Sequence, residues 1–205
     1  MLFISQQDIY HYIAEHWLEI IAVALSIAGV WLTALEKIIN WPINIIASAV
    51  YVYIFYISGI YLDTGISVFY ISFGFYGWYY WLYGGSNKKQ VEISKVSVKE
   101  LFTLIAMGIP ITIGLAVLLI HFTNSTIPYL DSSTTVLSLI ATWMAAKKHI
   151  ENWLVWIIAD SIYVVEYIIK DLYLTALLYF IFTVLAAYGY FEWNKQLKKL
   201  SALPL

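Results

Sequence analysis

The chain has 205 residues, of which 62% are hydrophobic, 18% aromatic and only 12% charged, with a net charge of −2. Soluble domains carry about 25% charged residues, so this composition suits a lipid solvent, and the mean hydropathy of +0.78 agrees. The charge balance excludes a basic nucleic-acid surface, and the absence of cysteine excludes disulfides, thiol chemistry and cysteine-bound metal.

At about 20 residues per crossing, this length holds about seven spanning helices and no separate soluble domain. The first residues, MLFISQQDIYHYIAEHW, lack a basic stretch followed by an apolar core and a small-residue cleavage site. They do not read as a cleavable signal peptide. Seven apolar segments follow, at 17–35, 41–58, 65–83, 101–121, 129–146, 153–169 and 173–193. They are too long for barrel strands and show no strict polar–apolar alternation. The expected fold is an all-α integral membrane protein.

Every basic residue besides histidine is a lysine. With the N-terminus on one side, that side receives only Lys170. The other receives Lys37, Lys88, Lys89, Lys95, Lys99, Lys147, Lys148, Lys195, Lys198 and Lys199. By the positive-inside rule the N-terminus lies outside and the C-terminus is cytoplasmic.

The chain also contains itself twice. Asn40-Trp41 opens a stretch that closes at Tyr76-Gly77 and Trp81; Asn152-Trp153 opens one that closes at Tyr188-Gly189 and Trp193. The offset is 112 residues throughout, and under it Tyr51-Val52 matches Tyr163-Val164 and Leu25-Ser26 matches Leu137-Ser138. The expected organisation is one membrane domain over 1–205, with a first three-helix repeat at 17–83, a linker helix at 101–121 and a second repeat at 129–193. The linker carries Pro110 and few polar groups, and restores direction so that the repeats run parallel. Parallel repeats share an axis along the membrane normal, as in the SWEET fold.

The sixth segment carries the chemistry. Trp153, Trp156, Asp160, Tyr163 and Tyr167 are spaced 3, 4, 3 and 4 apart, one stripe of a helix. The second segment repeats it as Trp41, Asn44, Ser48, Tyr51 and Phe55. Polar groups inside a membrane are costly and face a cavity or another helix. Two stripes at matching depth predict a substrate site at the midplane, built from Trp41, Asn44, Ser48, Tyr51, Trp153, Trp156, Asp160, Tyr163 and Tyr167. Aromatic faces take flat rings and cations, a carboxylate takes a cation or a hydroxyl, and Asn44, Ser48 and the phenols give directional hydrogen bonds. The implied ligand is small, flat, polar and cationic. Trp41, Trp81, Trp153 and Trp193 sit near segment ends, where membrane-interface anchoring is the competing reading. Glu166 falls off the stripe, about 120° from Asp160, toward the outer water. Tyr70, Tyr76 and Tyr188 read as packing residues.

An enzyme is the rival class. The chain lacks HExxH, GxSxG, a Gly-rich phosphate loop and paired carboxylates on one helix face. Its histidines, His11, His16, His121 and His149, fall near segment ends. A transporter without cofactor or metal is the expectation.

The blocks ENWLVWIIADSIYVVEYIIKDLYLTALLY and AAYGYFEW, with NWPINIIASAVYVYIFY and YLDTGISVFYISFGFYGWYYW in the first repeat, resemble the Pnu vitamin transporter family over nearly the whole chain. The resemblance implies a 3+1+3 SWEET-like fold, a homotrimer surrounded by membrane lipid, and facilitated diffusion. It also implies trapping of the vitamin by a cytoplasmic kinase, with no contact required. Nicotinamide riboside is the first cargo implied; thiamine and riboflavin are carried by relatives. Riboside carriers of that family have Asn on the sixth-helix stripe. Asp160 departs from the pattern, and its charge makes thiamine the alternative cargo; a proton carried on Asp160 or Glu166 would make the protein a coupled symporter.

Overall fold

The computed structural model describes residues 6–59, 61–85, 89–123, 125–169 and 171–201. Lys88 and Lys170, which enter the lysine count, lie outside the described residues. Among the described residues there are seven helices: α1 (Gln6–Ala34), α2 (Asn40–Ile57), α3 (Tyr61–Tyr83), α4 (Val98–Phe122), α5 (Pro128–Ala146), α6 (Asn152–Ile169) and α7 (Tyr173–Ser201). Each covers one apolar segment. α1 begins earlier than its segment because a kink at His16 (φ −114°, ψ 16°) joins a polar turn onto the apolar span. α7 runs on past Trp193 through Lys195, Lys198 and Lys199.

Five of the seven are long and apolar enough to cross a bilayer by length and composition: His16–Ala34, Asn40–Ile57, Val98–Phe122, Asn152–Ile169 and Tyr173–Lys199. α3 and α5 are of similar length but less apolar. α3 is crowded with tyrosine, glycine and serine, and α5 carries the run Asp131-Ser132-Ser133-Thr134-Thr135. The helix starts follow sequence signals. Pro128 stands in the first turn of α5, where a missing N–H costs nothing. Ser97 caps α4 by accepting from the Glu100 backbone N–H at 3.2 Å, the Ser-x-x-Glu arrangement of a capping box.

α2 packs between α1 and α3, and α6 packs between α5 and α7. The two trios meet where α1 packs on α7 and α3 packs on α5. This closes a ring of six helices, in which α2 and α6 stand opposite each other. α4 lies outside the ring, packed on α5. It buries only Gly108, Ala116 and Leu119, and Gly108 lets it approach Val136 and Ile140 of α5. On α6 the outward face is Leu154, Ile158, Ser161, Val165 and Ile168, all exposed.

The core sits at the lysine-rich end of the ring. Its buried members are Ala34, Trp41, Trp81, Ile93, Ala146, Ile150, Trp153, Ala186 and Trp193. The segment before α4 reaches into this end. Ser94 forms a parallel bridge with His149, its N–H donating to Lys148 O at 3.0 Å and its carbonyl accepting from Ile150 N–H at 2.9 Å.

Candidate substrate site in the helix ring

Asp160 is 3% exposed, on the inner side of α6. No lysine, arginine or histidine falls within α2, α3, α5 or α6. The side chains with which it interacts electrostatically include two phenols, Tyr70 of α3 and Tyr179 of α7. Tyr179 also packs on the stripe itself, its ring centroid 4.5 Å from Tyr163 and 5.2 Å from Tyr167. Tyr163 and Tyr167 stack at 6.1 Å. Three helices thus converge on one carboxylate with aromatic surface.

A fourth helix adds hydroxyls. Ser138 and Thr134 of α5 are buried one turn apart. Ser138 Oγ–H donates to Thr134 O at 2.9 Å, and Thr134 Oγ1–H to Leu130 O at 3.0 Å. With those protons placed, the oxygens are left as acceptors. Tyr70 and Tyr163 both come within side-chain reach of Ser138, and Tyr163 also of Thr134, so each phenol has an acceptor for its single proton. Among the described residues no ion pair engages the Asp160 carboxylate, so a positively charged or hydrogen-bond-donating group would suit it.

The first repeat reproduces the frame with different contents. Tyr51 pairs with Ser26, as Tyr163 does with Ser138, and Ser26 Oγ–H donates to Ala22 O at 2.9 Å, as Ser138 does to Thr134. Tyr51 stacks on Phe55 at 5.5 Å. Asn44 lies half-buried against Gly29 of α1, where a Cβ would fall 1.9 Å from its Oδ1. Ser48, the counterpart of Asp160, is half-buried.

The structure divides the expected site residues. Asp160, Tyr163 and Tyr167 form one cluster; Asn44, Ser48 and Tyr51 lie half-buried on α2, with Asn44 and Tyr51 against α1. Trp41 and Trp153 are 5% and 2% exposed, at the lysine-rich end in the indole core rather than beside Asp160. Trp156, half-buried, packs against that core. Interface anchoring fails for Trp41, Trp81, Trp153 and Trp193, because all four are buried within the ring. Two further expectations need correction. Tyr70 belongs to the carboxylate cluster and not only to packing, because α3 abuts α5 there. Glu166 is 3% exposed and interacts with Tyr163, so it does not face outer water. Tyr179, Thr134 and Ser138 were not singled out from sequence. The signal was present in the polar run of α5, whose small hydroxyls at i and i+4 share one face.

Comparison with known proteins identifies the family. A family model described as nicotinamide mononucleotide transporter matches residues 16–195. The chain is similar to the nicotinamide riboside transporter PnuC of Escherichia coli (strain K12), with 26% identity covering 86% of this chain and 84% of that one. It is similar to the protein of the same name from Neisseria mucosa, with 22% identity over 96% of this chain and 79% of the other. Among solved structures it resembles the crystal structure of the vitamin B3 transporter PnuC, with a TM-score of 0.73 and 22% identity, covering 95% of this chain and 87% of that one. That likeness shows a shared fold. The family match spans most of the chain: the protein belongs to the nicotinamide mononucleotide transporter family, and its business is carriage across a membrane, not catalysis.

Proposed function

We propose that the chain carries nicotinamide riboside across the bacterial inner membrane by facilitated diffusion. The observation that carries the reading is Asp160, buried among phenols and hydroxyls in a ring whose facing helices hold no basic side chain. The riboside has a cationic pyridinium and a hydroxyl-rich sugar, which suit a carboxylate, aromatic faces and acceptor oxygens. A phosphorylated nucleotide would bring an anion beside Asp160 and Glu166, an unfavourable match. The names of the relatives favour the same cargo.

The finer architecture belongs to this reading. The helix ring and the pairs recurring at an offset of 112 residues support a 3+1+3 arrangement of parallel repeats, SWEET-like, with α4 as linker. The lysine-rich end is the cytoplasmic face. Homotrimeric assembly and retention of the vitamin by a cytoplasmic kinase rest on the family resemblance. Asp160 also supports thiamine, whose thiazolium is likewise cationic, as the alternative cargo. Two buried carboxylates on α6, Asp160 and Glu166, support proton coupling as the alternative mechanism.

Titration of the purified protein with nicotinamide riboside, nicotinamide mononucleotide, thiamine and riboflavin tests the cargo. Saturable riboside binding with no mononucleotide binding is expected; thiamine binding without riboside binding would replace the first reading. Uptake into liposomes under imposed proton and sodium gradients tests the mechanism. Accumulation above the outside concentration, with no kinase present, refutes passive transport.

A further inference from the structure

The lysine-rich end of the ring is closed by contacts that pair equivalent positions of the two repeats. Glu36 and Lys148 are 112 residues apart and meet in an ion pair, Oε2 to Nζ 3.0 Å, with side chains 18% and 7% exposed. Both occupy the left-handed backbone region, at φ 53° and 56°, as the residues that end α1 and α5 in equivalent Schellman caps. The Lys148 ammonium also lies 4.4 Å from the Trp81 ring centroid. Trp81 and Trp193, again 112 apart, approach within 6.1 Å.

The hydrogen bonds cross in the same manner. Trp81 of α3 donates its indole N–H to Ala145 O of α5 at 3.1 Å, and Trp193 of α7 donates to Thr33 O of α1 at 3.3 Å. Positions 33 and 145 are themselves equivalent. Within each repeat a second indole completes a half-plug: Trp41 meets Trp81 edge-on at 5.3 Å, and Trp153 meets Trp193 edge-on at 5.3 Å. The ion pair and both hydrogen bonds join one repeat to the other. Separating the repeats at this end breaks them together and leaves each half-plug intact.

The plug also holds groups that a permanent core has no use for. Trp41 Nε1, Trp153 Nε1, Asn40 Oδ1 and Asn152 Oδ1 are buried and, among the described residues, have no hydrogen-bond partner. Buried polar groups in folded proteins are nearly all paired. Four unpaired ones, in two equivalent sets, oppose closure and gain partners once water enters. An ion pair and indole contacts favouring closure, set against buried polar atoms opposing it, are the opposed terms of a two-state element.

We propose that this lock is the gate at the lysine-rich face: Glu36–Lys148 and the paired indoles hold that end shut and part for the substrate to pass. The inference rests on the transport reading above. The chain has no cysteine, so Glu36→Cys with Lys148→Cys is a clean pair for a short, reducible bis-methanethiosulfonate cross-linker. In proteoliposomes, cross-linking is expected to abolish nicotinamide riboside uptake and reductant to restore it, while riboside binding in detergent persists. Uptake at the unreacted rate after complete cross-linking overturns the gate. A second arm needs no cargo. Ala34→Cys, buried in the plug, is labelled with a membrane-impermeant maleimide in open membranes. Glu36→Gln, or Lys148→Gln should that variant fail to fold, is expected to raise the labelling rate by about tenfold, as for a lock weighting the closed state by one order of magnitude. An unchanged rate in a folded variant overturns the gate. If the unreacted protein carries no riboside, the cargo reading falls, and the labelling arm alone decides the gate.

Discussion

In the proposed transport reading, recognition turns on Asp160. Its carboxylate is buried, and no lysine, arginine or histidine stands in α2, α3, α5 or α6 to meet it. Asp160→Asn keeps the size and removes the charge. Riboside affinity is expected to fall by about 1.5–3 kcal/mol, the range for hydrogen bonds to charged groups, or about 10- to 100-fold in Kd, read by calorimetry. An unchanged Kd would place the ligand elsewhere. Trp156 stands between the indole core and the carboxylate, one turn from Asp160. Trp156→Ala is expected to weaken binding by about 1–3 kcal/mol if a ring of the vitamin stacks there, by analogy with base–aromatic stacking. Unaltered binding would make Trp156 part of the plug alone. These two residues were legible in sequence because a helix repeats every 3.6 residues and their spacing selects one face. Tyr179 was not, because its partners Tyr163 and Tyr167 lie on another helix.

At the level of the element, two glycines explain how each repeat seats its first tryptophan. A Cβ on Gly77 of α3 would fall 2.2 Å from a ring atom of Trp41, and one on Gly189 of α7 would fall 2.6 Å from Trp153. Glycine is costly inside a helix, yet here it is what lets the indole lie flat on the next helix. Gly77→Ala and Gly189→Ala are each expected to destabilise the protein by about 1–3 kcal/mol, the usual cost of overpacking, seen as a lower Tm in detergent. Gly114 of α4 has nothing within 4 Å of its Cβ position. Gly114→Ala is expected to hold or raise Tm, since alanine is the better helix former by about 1 kcal/mol. Equal behaviour of all three variants would refute the packing argument. The repeat was readable because Trp, Asn and Gly recurred together. That Gly77 and Gly189 recur because of Trp41 and Trp153 was not, since each pair is joined across two helices.

Across the whole molecule, positions 112 residues apart recur in the packing but carry unequal side chains around Asp160. Closure at the lysine-rich end uses equivalent residues, but the walls differ: Asp160 faces the ring where the first repeat has Ser48, Trp156 where it has Asn44, and Tyr179 where it has Ser67. A ligand with a cationic ring at one end and hydroxyls at the other fits unequal walls better than equal ones. The symmetry of the lock makes its own prediction. Glu36→Lys alone sets two ammonium groups together and is expected to cost about 3 kcal/mol, the low end for breaking a buried pair. Adding Lys148→Glu exchanges the partners between equivalent positions, and most of the lost Tm is expected to return. No recovery in the double variant would mean that the two turns are not equivalent.

Sequence alone determined the lipid solvent, the seven helices, the duplication and the stripe of Asp160, because composition, apolar run length and helical period are local or additive properties. Only the tertiary structure decided that Trp41 and Trp153 close an end of the ring, that Tyr70 and Tyr179 approach Asp160 while Ser138 meets the phenols, and that Glu36 meets Lys148. Each of these depends on which helix stands beside which, and ring closure brings together residues that the chain keeps far apart.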